Sequence, residues 1–253
     1  MRKLNNSKIT KITSLANNQI KYFTSLNTKK IRQQEKKFLV EGFHLCEEAA
    51  KRGLLTDVLI CEETDLIEGV NNFLVTYDII KKVTKTVSPQ KIVGIVKMTN
   101  DFSYDYDHYL LLDDVNDPGN LGTIIRSAVA FGVKGIIMGP NTVDIYNDKV
   151  IRATQGAIFD IGFCYENLEN AIGILKSKKI EVFGTSLYNS VNLNDVSIPD
   201  KWAIILGNES RGVSKDLLAQ TDVNIIIPIS DKIESLNVSV SAGILLYEFQ
   251  KWK

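Results

Sequence analysis

The chain is poor in the residues that metal and redox sites require: it has three cysteines and two histidines in 253 residues. Cys46, Cys61 and Cys164 form no C-x-x-C pair, and an odd number of scattered thiols gives no disulfide framework. With only His44 and His108 beside them, no metal site is expected. Long apolar runs are missing too. No stretch of about 18 apolar residues occurs, which argues against a membrane-spanning helix. Arg2 and Lys3 are not followed by the apolar core of a secretory leader, so a cytoplasmic location is expected. Two phosphate-binding loops are also lacking: no G-x-G-x-x-G follows a strand-like run, and there is no G-x-x-x-x-G-K-[ST].

Net charge is absent as well, since 30 Lys and Arg balance 30 Asp and Glu, but the balance hides an asymmetry. Residues 1–37 carry Arg2, Lys3, Lys8, Lys11, Lys21, Lys29, Lys30, Arg32, Lys36 and Lys37 against Glu35 alone. A basic amino-terminal arm beside an acidic body is the pattern of a protein that grips phosphates with one end. A solvated tail is the other reading of such a charge run. What is plentiful is apolar residue, 44% of the chain, enough for the cores of one large or two ordinary domains.

Asn17 to Lys37 sets Ile20, Phe23, Leu26 and Ile31 at loosely helical spacing, which predicts one amphipathic helix on the outside. Phe38 to Gly42 reads as a strand, and Phe43, Leu45, Cys46, Ala49 and Ala50 give an apolar helical face ending at Gly53. Asp57 to Cys61 and Phe73 to Tyr77 are short strands, a helix begins near Asp78, and Ile92 to Val96 closes the series. Such alternation makes a small α/β domain. Glu41, Gly42 and His44 sit at a strand-to-helix turn, which accounts for the glycine, and a solitary histidine there is more often structural than catalytic.

Asn100 to His108 is polar, acidic and without periodicity, so residues 99–108 are expected to form a linker. Its tyrosines either stack on bases or pack loosely on a neighbouring domain. Beyond it, apolar runs recur at Tyr109–Leu112, Gly135–Met138, Ile161–Cys164, Ile180–Phe183, Trp202–Leu206 and Val223–Ile227, separated mostly by amphipathic stretches such as Leu168–Leu175. Near-continuous apolar strands with helical crossovers predict a parallel sheet covered on both faces. Ligands bind beyond the carboxyl ends of such strands. Gly184–Ser186, Gly207–Ser210 and Pro228–Asp231 all begin there.

Asp113 to Ala130, DDVNDPGNLGTIIRSAVA, joins one such strand to an apolar helix through turn formers. Asn120 is a natural N-cap, which would leave the N–H groups of Leu121 to Thr123 free at the positive end of the helix. Arg126 interrupts the apolar helix and either snorkels to the surface or points into a cleft. Gly207–Gly212 (GNESRG) and Ile227–Gly243 (IPISDKIESLNVSVSAG) each follow a strand-like run. Ser235 is a natural cap of the last helix, with Asn237 in its first turn.

In this order, and over roughly half the chain, these three motifs resemble the SpoU branch of the SPOUT RNA methyltransferases, the enzymes similar to TrmH. Phe38–Ala49 (FLVEGFHLCEEA) and Ser88–Val96 (SPQKIVGIV) resemble the L30e-like substrate-binding domain that many SpoU proteins carry. The resemblance implies an α/β chain: a basic arm and small L30e-like domain over 1–98, then a parallel-sheet SPOUT domain with a trefoil knot over 109–253. It further implies a homodimer that transfers methyl from S-adenosylmethionine to a ribose 2′-hydroxyl of RNA, ribosomal RNA preferred over transfer RNA. A non-catalytic RNA-binding or assembly protein retaining the fold is the alternative.

Carried over by motif, Asn120 and Arg126 stand at catalytic positions of the first motif, Glu209 of the second, and Ser235 and Asn237 of the third. Glu209 would hold the Arg126 guanidinium in a fork. Arg126 would receive the hydroxyl proton or orient the hydroxyl, the latter easier for a guanidinium, which is a donor and a very poor base. Thr185, Ser186, Leu206, Gly207, Asn208, Ile227, Pro228, Ile229 and Leu236 would embrace the cofactor, and Lys29, Lys30, Arg32 and Arg152 would meet RNA phosphates. Ser210 stands where the family commonly has glycine and Ser241 where it has alanine. Both are small, so cofactor binding is expected to survive.

Overall fold

The computed structural model describes residues 9–250, and the chain divides after Thr99 into two compact units. The expected basic arm therefore lies partly outside the described residues, at Arg2, Lys3 and Lys8.

The first unit comprises β1 (Ile9–Ile12), α1 (Asn18–Ser25), α2 (Lys29–Glu35), β2 (Lys37–Glu41), α3 (Phe43–Lys51), β3 (Leu55–Ile60), β4 (Asn71–Val75), α4 (Tyr77–Val83) and β5 (Ile92–Lys97). Its five strands run in the order β1-β4-β3-β5-β2, with β1, β4 and β3 mutually parallel and β5 antiparallel to both β3 and β2. The single exposed helix expected over 17–37 is instead α1 and α2. Asn27 ends the first by donating Nδ2 to Thr24 O and Val83 O, at 3.0 and 2.7 Å. Nor does α1 lie outside: Ile20, Phe23 and Leu26 repeat at helical spacing and are fully buried, in one core with Ile79, Ile80 and Val83 of α4. Strand β1 falls in the stretch whose charge suggested a tail, and only Ile12 of its four residues is buried.

The second unit comprises β6 (His108–Leu112), α5 (Pro118–Ala130), β7 (Gly135–Met138), α6 (Asp148–Thr154), β8 (Gly162–Tyr165), α7 (Leu168–Ser177), β9 (Glu181–Thr185), β10 (Val191–Asn192), β11 (Trp202–Leu206), α8 (Lys215–Leu218), β12 (Val223–Ile226) and α9 (Val238–Phe249). Its seven strands are all parallel, in the order β10-β12-β9-β11-β6-β7-β8. On one face, Leu168, Ala171, Ile172 and Leu175 of α7 and Leu217 of α8 pack with Leu111, Ile137 and Ile205 of the sheet. Phe249 of α9 meets Phe183 and Trp202 edge-on at 4.9 and 5.2 Å, and α5 packs between α6 and α9. The α5–α6 approach requires a glycine: a Cβ on Gly122 would stand 2.4 Å from the Ala153 Cβ and 2.8 Å from the Val150 carbonyl.

Residues 100–107, expected to be linker, belong to this second unit. Phe102, Tyr104 and Tyr106 pack around the buried Tyr109. Tyr104 hydrogen-bonds the Glu166 carboxylate, and Asp105 pairs with Lys178 at 2.7 Å. The aromatic residues at every second position give this irregular segment an inward side that composition alone conceals.

Candidate active site

Tyr109 to Leu112 are fully buried, so polar chain can begin only where β6 leaves the sheet, at Asp113. The helix that follows starts at Pro118, whose fixed φ and missing N–H suit the first helical position. This moves the cap to Asp117, correcting the expectation for Asn120: Asp117 Oδ1 accepts from Asn120 N at 2.8 Å. The Leu121 N–H is not free either, since it donates to Asp117 O at 3.1 Å. Displaced one turn inward, the Asn120 side chain is available for another partner.

That partner is Glu209, at the tip of the loop after β11. Its Oε1 accepts from Asn120 Nδ2 at 2.9 Å and from Asp117 N at 3.1 Å, and its Oε2 faces Asn116 N at 3.4 Å. Burial works against the charge on Glu209, yet donation from the Asn120 amide and from the backbone of Glu209, Asp117 and Asn116 outweighs it and holds the carboxyl below its ordinary value. A carboxylate only accepts, so Asn120 must turn its NH2 toward Glu209 and its carbonyl oxygen away. Asn237 Nδ2 donates to that oxygen at 3.0 Å. Asn237 in turn caps α9, accepting from Ser239 N at 2.9 Å and Val240 N at 3.4 Å. Three segments distant in sequence thus end in one polar relay.

The cap of α9 is Asn237 and not Ser235, because the helix begins at Val238. Ser235 is exposed, two residues ahead. The expected fork between Glu209 and Arg126 is not formed: Asn120 and two backbone N–H groups take the carboxylate, and Arg126 lies exposed on α5 with no hydrogen bond or ion pair among the described residues. Arg32 is turned inward, 9% exposed, and donates Nη1 to Leu26 O at 3.1 Å, which removes it from the phosphate-facing set; Lys29 and Lys30 are exposed. Arg152, on α6, pairs with Asp148 at 3.0 Å.

Beside the relay, a cleft of about 390 Å³ opens past the carboxyl ends of β9, β11 and β12. Of the residues proposed to embrace the cofactor, Thr185, Ser186, Leu206, Gly207, Asn208, Ile227, Ile229 and Leu236 line it, with Ser235 and Glu209 also on its wall. Pro228 does not; its side chain is exposed between two residues that do. Gly207 has a specific reason: a Cβ there would stand 2.1 Å from both Gly212 C and Val213 N, where backbone cannot give way. Apolar walls with hydroxyl and amide groups at the edge suit a nucleoside-sized ligand. Ser210 and Ser241 line the cleft without closing it. Leu187, Tyr188 and Arg211 line it too, unforeseen; their places just past strand ends were the available signal.

Comparison with known proteins accounts for both units. Residues 107–247 match the SpoU rRNA Methylase family, and residues 17–94 the MRM3-like substrate binding domain. A relative from Bacillus subtilis, 23S rRNA (guanosine(2553)-2'-O)-methyltransferase RlmP, is 38% identical over 94% of this chain and 98% of its own. An AdoMet-bound rRNA methyltransferase from Sinorhizobium meliloti superposes with a TM-score of 0.86 at 30% identity, covering 96% of this chain and 98% of that one. An RNA methyltransferase of the TrmH family from Porphyromonas gingivalis, described as putative, gives 0.85 at 26% identity over 95% and 100%. A chain that matches in both units and carries all three motifs belongs to the SpoU rRNA methylase family of S-adenosylmethionine-dependent RNA methyltransferases.

Proposed function

We propose that this chain, acting as a homodimer in the cytoplasm, transfers the methyl group of S-adenosylmethionine to a ribose 2′-hydroxyl of large-subunit ribosomal RNA. The observation that carries the reading is the Glu209–Asn120–Asn237 relay at the edge of the cleft. Bound in the cleft, the cofactor would supply an electrophilic methyl group and leave as the neutral thioether, while the hydroxyl proton passes to water. Methylating a hydroxyl then calls for orientation and electrostatic support. The ionised Glu209 sets both asparagine amides in one direction, and Ser235 offers a further hydroxyl on the same wall. Arg126 stabilises developing alkoxide by donating to it, acting on the cleft of a partner copy. The full-length likeness to RlmP supports ribosomal RNA and the ribose oxygen as acceptor.

The dimer is supported by α9, which exposes Val240, Ile244 and Tyr247 at helical spacing, 50%, 36% and 62% accessible. It packs on α5, the helix that carries Arg126. The knot is supported by strand order: β12 lies between β9 and β10, which are joined by residues 186–190 alone, so later chain enters beneath an earlier loop. The first unit selects the RNA. Beside exposed Lys29 and Lys30 it presents Phe43, Tyr77 and Val87 to solvent, with Lys81 Nζ 4.8 Å over the Tyr77 ring, a combination suited to unstacked bases.

The test is transfer of labelled methyl from S-adenosylmethionine to unmodified ribosomal and transfer RNA, with nucleoside analysis and Arg126→Ala in parallel. Label in a 2′-O-methylnucleoside of large-subunit RNA, lost in Arg126→Ala, is expected. Label in base carbon or nitrogen, or in transfer RNA alone, would overturn the assignment, and cofactor binding without transfer to any RNA would favour a non-catalytic assembly protein.

A further inference from the structure

The loop that carries Glu209 is not free to choose where it places that carboxylate. Two consecutive aspartates at the end of β6 hold it. Asp113 Oδ2 accepts from Ser214 N at 2.8 Å, just past the loop. Asp114 holds it twice: its carbonyl accepts from Asn208 Nδ2 at 2.9 Å, and its Oδ2 accepts from Arg211 Nη2 at 3.2 Å. Asn208 and Gly212 close the loop on itself through paired backbone bonds at 3.1 and 2.9 Å, and Asn208 Oδ1 accepts from Ser210 N and Arg211 N. Glu209 completes the exchange in the opposite direction by accepting from 116, 117 and 120.

Asp114 adopts φ +57°, a left-handed conformation that few side chains other than Asn and Asp enter. This turn sends the chain from β6 into the segment whose N–H groups meet Glu209. Its side chain is 18% exposed and takes a second donor, Asn141 Nδ2, at 3.3 Å. Arg211, by contrast, is 71% exposed, so the pair adds little to global stability. A link that contributes little to stability, yet spans from a strand end to the loop lining the cleft, acts on geometry.

We infer that Asp114 is a positioning residue, which through Arg211 and Asn208 sets Glu209 at the height where it can align Asn120. This rests on the reading of Glu209 given above. The step concerns alignment only, and no bond to substrate is assigned to Asp114 or Arg211.

The experiment compares Asp114→Gly, Asp114→Asn, Arg211→Gln and the double variant Asp114→Gly/Arg211→Gln. Glycine accepts φ +57° and keeps the carbonyl but removes the carboxylate, whereas asparagine keeps an acceptor. Each of Asp114→Gly and Arg211→Gln is expected to slow single-turnover methyl transfer about tenfold, the scale of a displaced positioning group. The KM for RNA and the melting temperature should stay near wild type. Because both remove one link, the double variant should be no slower than the slower single, and Asp114→Asn should recover most of the rate. A wild-type rate in Asp114→Gly, or losses that multiply in the double variant, overturns the inference. A deficit of Arg211→Gln confined to the KM for RNA does so too, since it would make Arg211 a phosphate contact. Should Asp114→Gly not fold, Arg211→Gln decides alone, because it leaves the backbone turn untouched. If the wild-type chain methylates no RNA, the proposed function fails separately, and crystal structures of Asp114→Gly and Arg211→Gln still read the link: a Glu209 carboxylate withdrawn from Asn120 supports it and an unmoved one overturns it.

Discussion

Asn237 donates from Nδ2 to the Asn120 side-chain oxygen at 3.0 Å, although 117 positions separate the two in sequence. The contact has a direction. Glu209 takes the Asn120 NH2 at 2.9 Å, which leaves only the oxygen for Asn237, and Asn237 keeps its own oxygen for the N–H groups of α9. One carboxylate thereby sets two amides and links the start of α5 to the start of α9.

Asn237 has two duties that one substitution separates. Asn237→Asp retains an acceptor for Ser239 N and Val240 N, and its charge suits a helix amino terminus, but it cannot donate to Asn120. We expect the melting temperature to hold while turnover falls about tenfold or more. Asn237→Ala should lose turnover and also about 1 kcal/mol from the missing cap. Thermal unfolding beside methyl transfer distinguishes them, and full activity in Asn237→Asp would separate the relay from function.

The state of Glu209 sets a pH dependence. Its carboxyl lies below the ordinary 4.5 in the folded chain. A depressed folded value means that the ionised group stabilises the fold above its unfolded value, and that this contribution is lost as pH falls through the folded value. The difference in melting temperature between wild type and Glu209→Gln should therefore be level from pH 8 to about pH 5 and shrink in more acid solution. A difference that fades between pH 7 and 6 would refute this.

Gly207→Ala brings a methyl group to 2.1 Å from the backbone of Gly212 and Val213. The loop must open to admit it. We expect a loss of about 1–3 kcal/mol, as for overpacked sites, together with weakened cofactor binding, measured by chemical denaturation and titration calorimetry. Unchanged affinity would show that the loop's closed form is not what binds.

Val240 and Tyr247 are exposed in the single chain. Val240→Glu with Tyr247→Glu should leave the melting temperature of the protomer close to its own value, convert the proposed dimer to monomer in sedimentation equilibrium, and abolish methyl transfer. A wild-type chain that sediments as a monomer while active would refute completion of the site by a partner.

Burial pushes the thiols of Cys46 and Cys164 up to about 12, and burial also raises Cys61. Thiolate, the reactive form, is therefore scarce near neutrality. Treatment with iodoacetamide at pH 7.5 should leave methyl transfer intact, followed by mass spectrometry of the intact chain. Inactivation by one equivalent would bring a thiol into the reaction.

Legibility in the sequence followed the length scale of the interaction. Apolar runs such as Tyr109–Leu112 and Trp202–Leu206 had to be buried strands, and both pair at the centre of the parallel sheet. Caps were misplaced by two or three residues at Asn120 and Ser235, because Asp, Asn and Ser are all good caps and only the backbone path chooses among them. Arg32 looked like a surface charge because its acceptor, the Leu26 carbonyl, carries no signal in residue type.

The sequence by itself determined the two α/β units, the polar positions past the strand ends and the three motifs, since periodicity and residue type are local properties of a chain. Tertiary structure alone decided that Glu209 meets Asn120 and not Arg126, that Asn237 completes the relay, and that Asp114 holds the loop in place. Hydrogen-bond partners are selected within about 3 Å and along fixed directions. No pattern in a linear sequence specifies distance and direction between residues that only folding brings together.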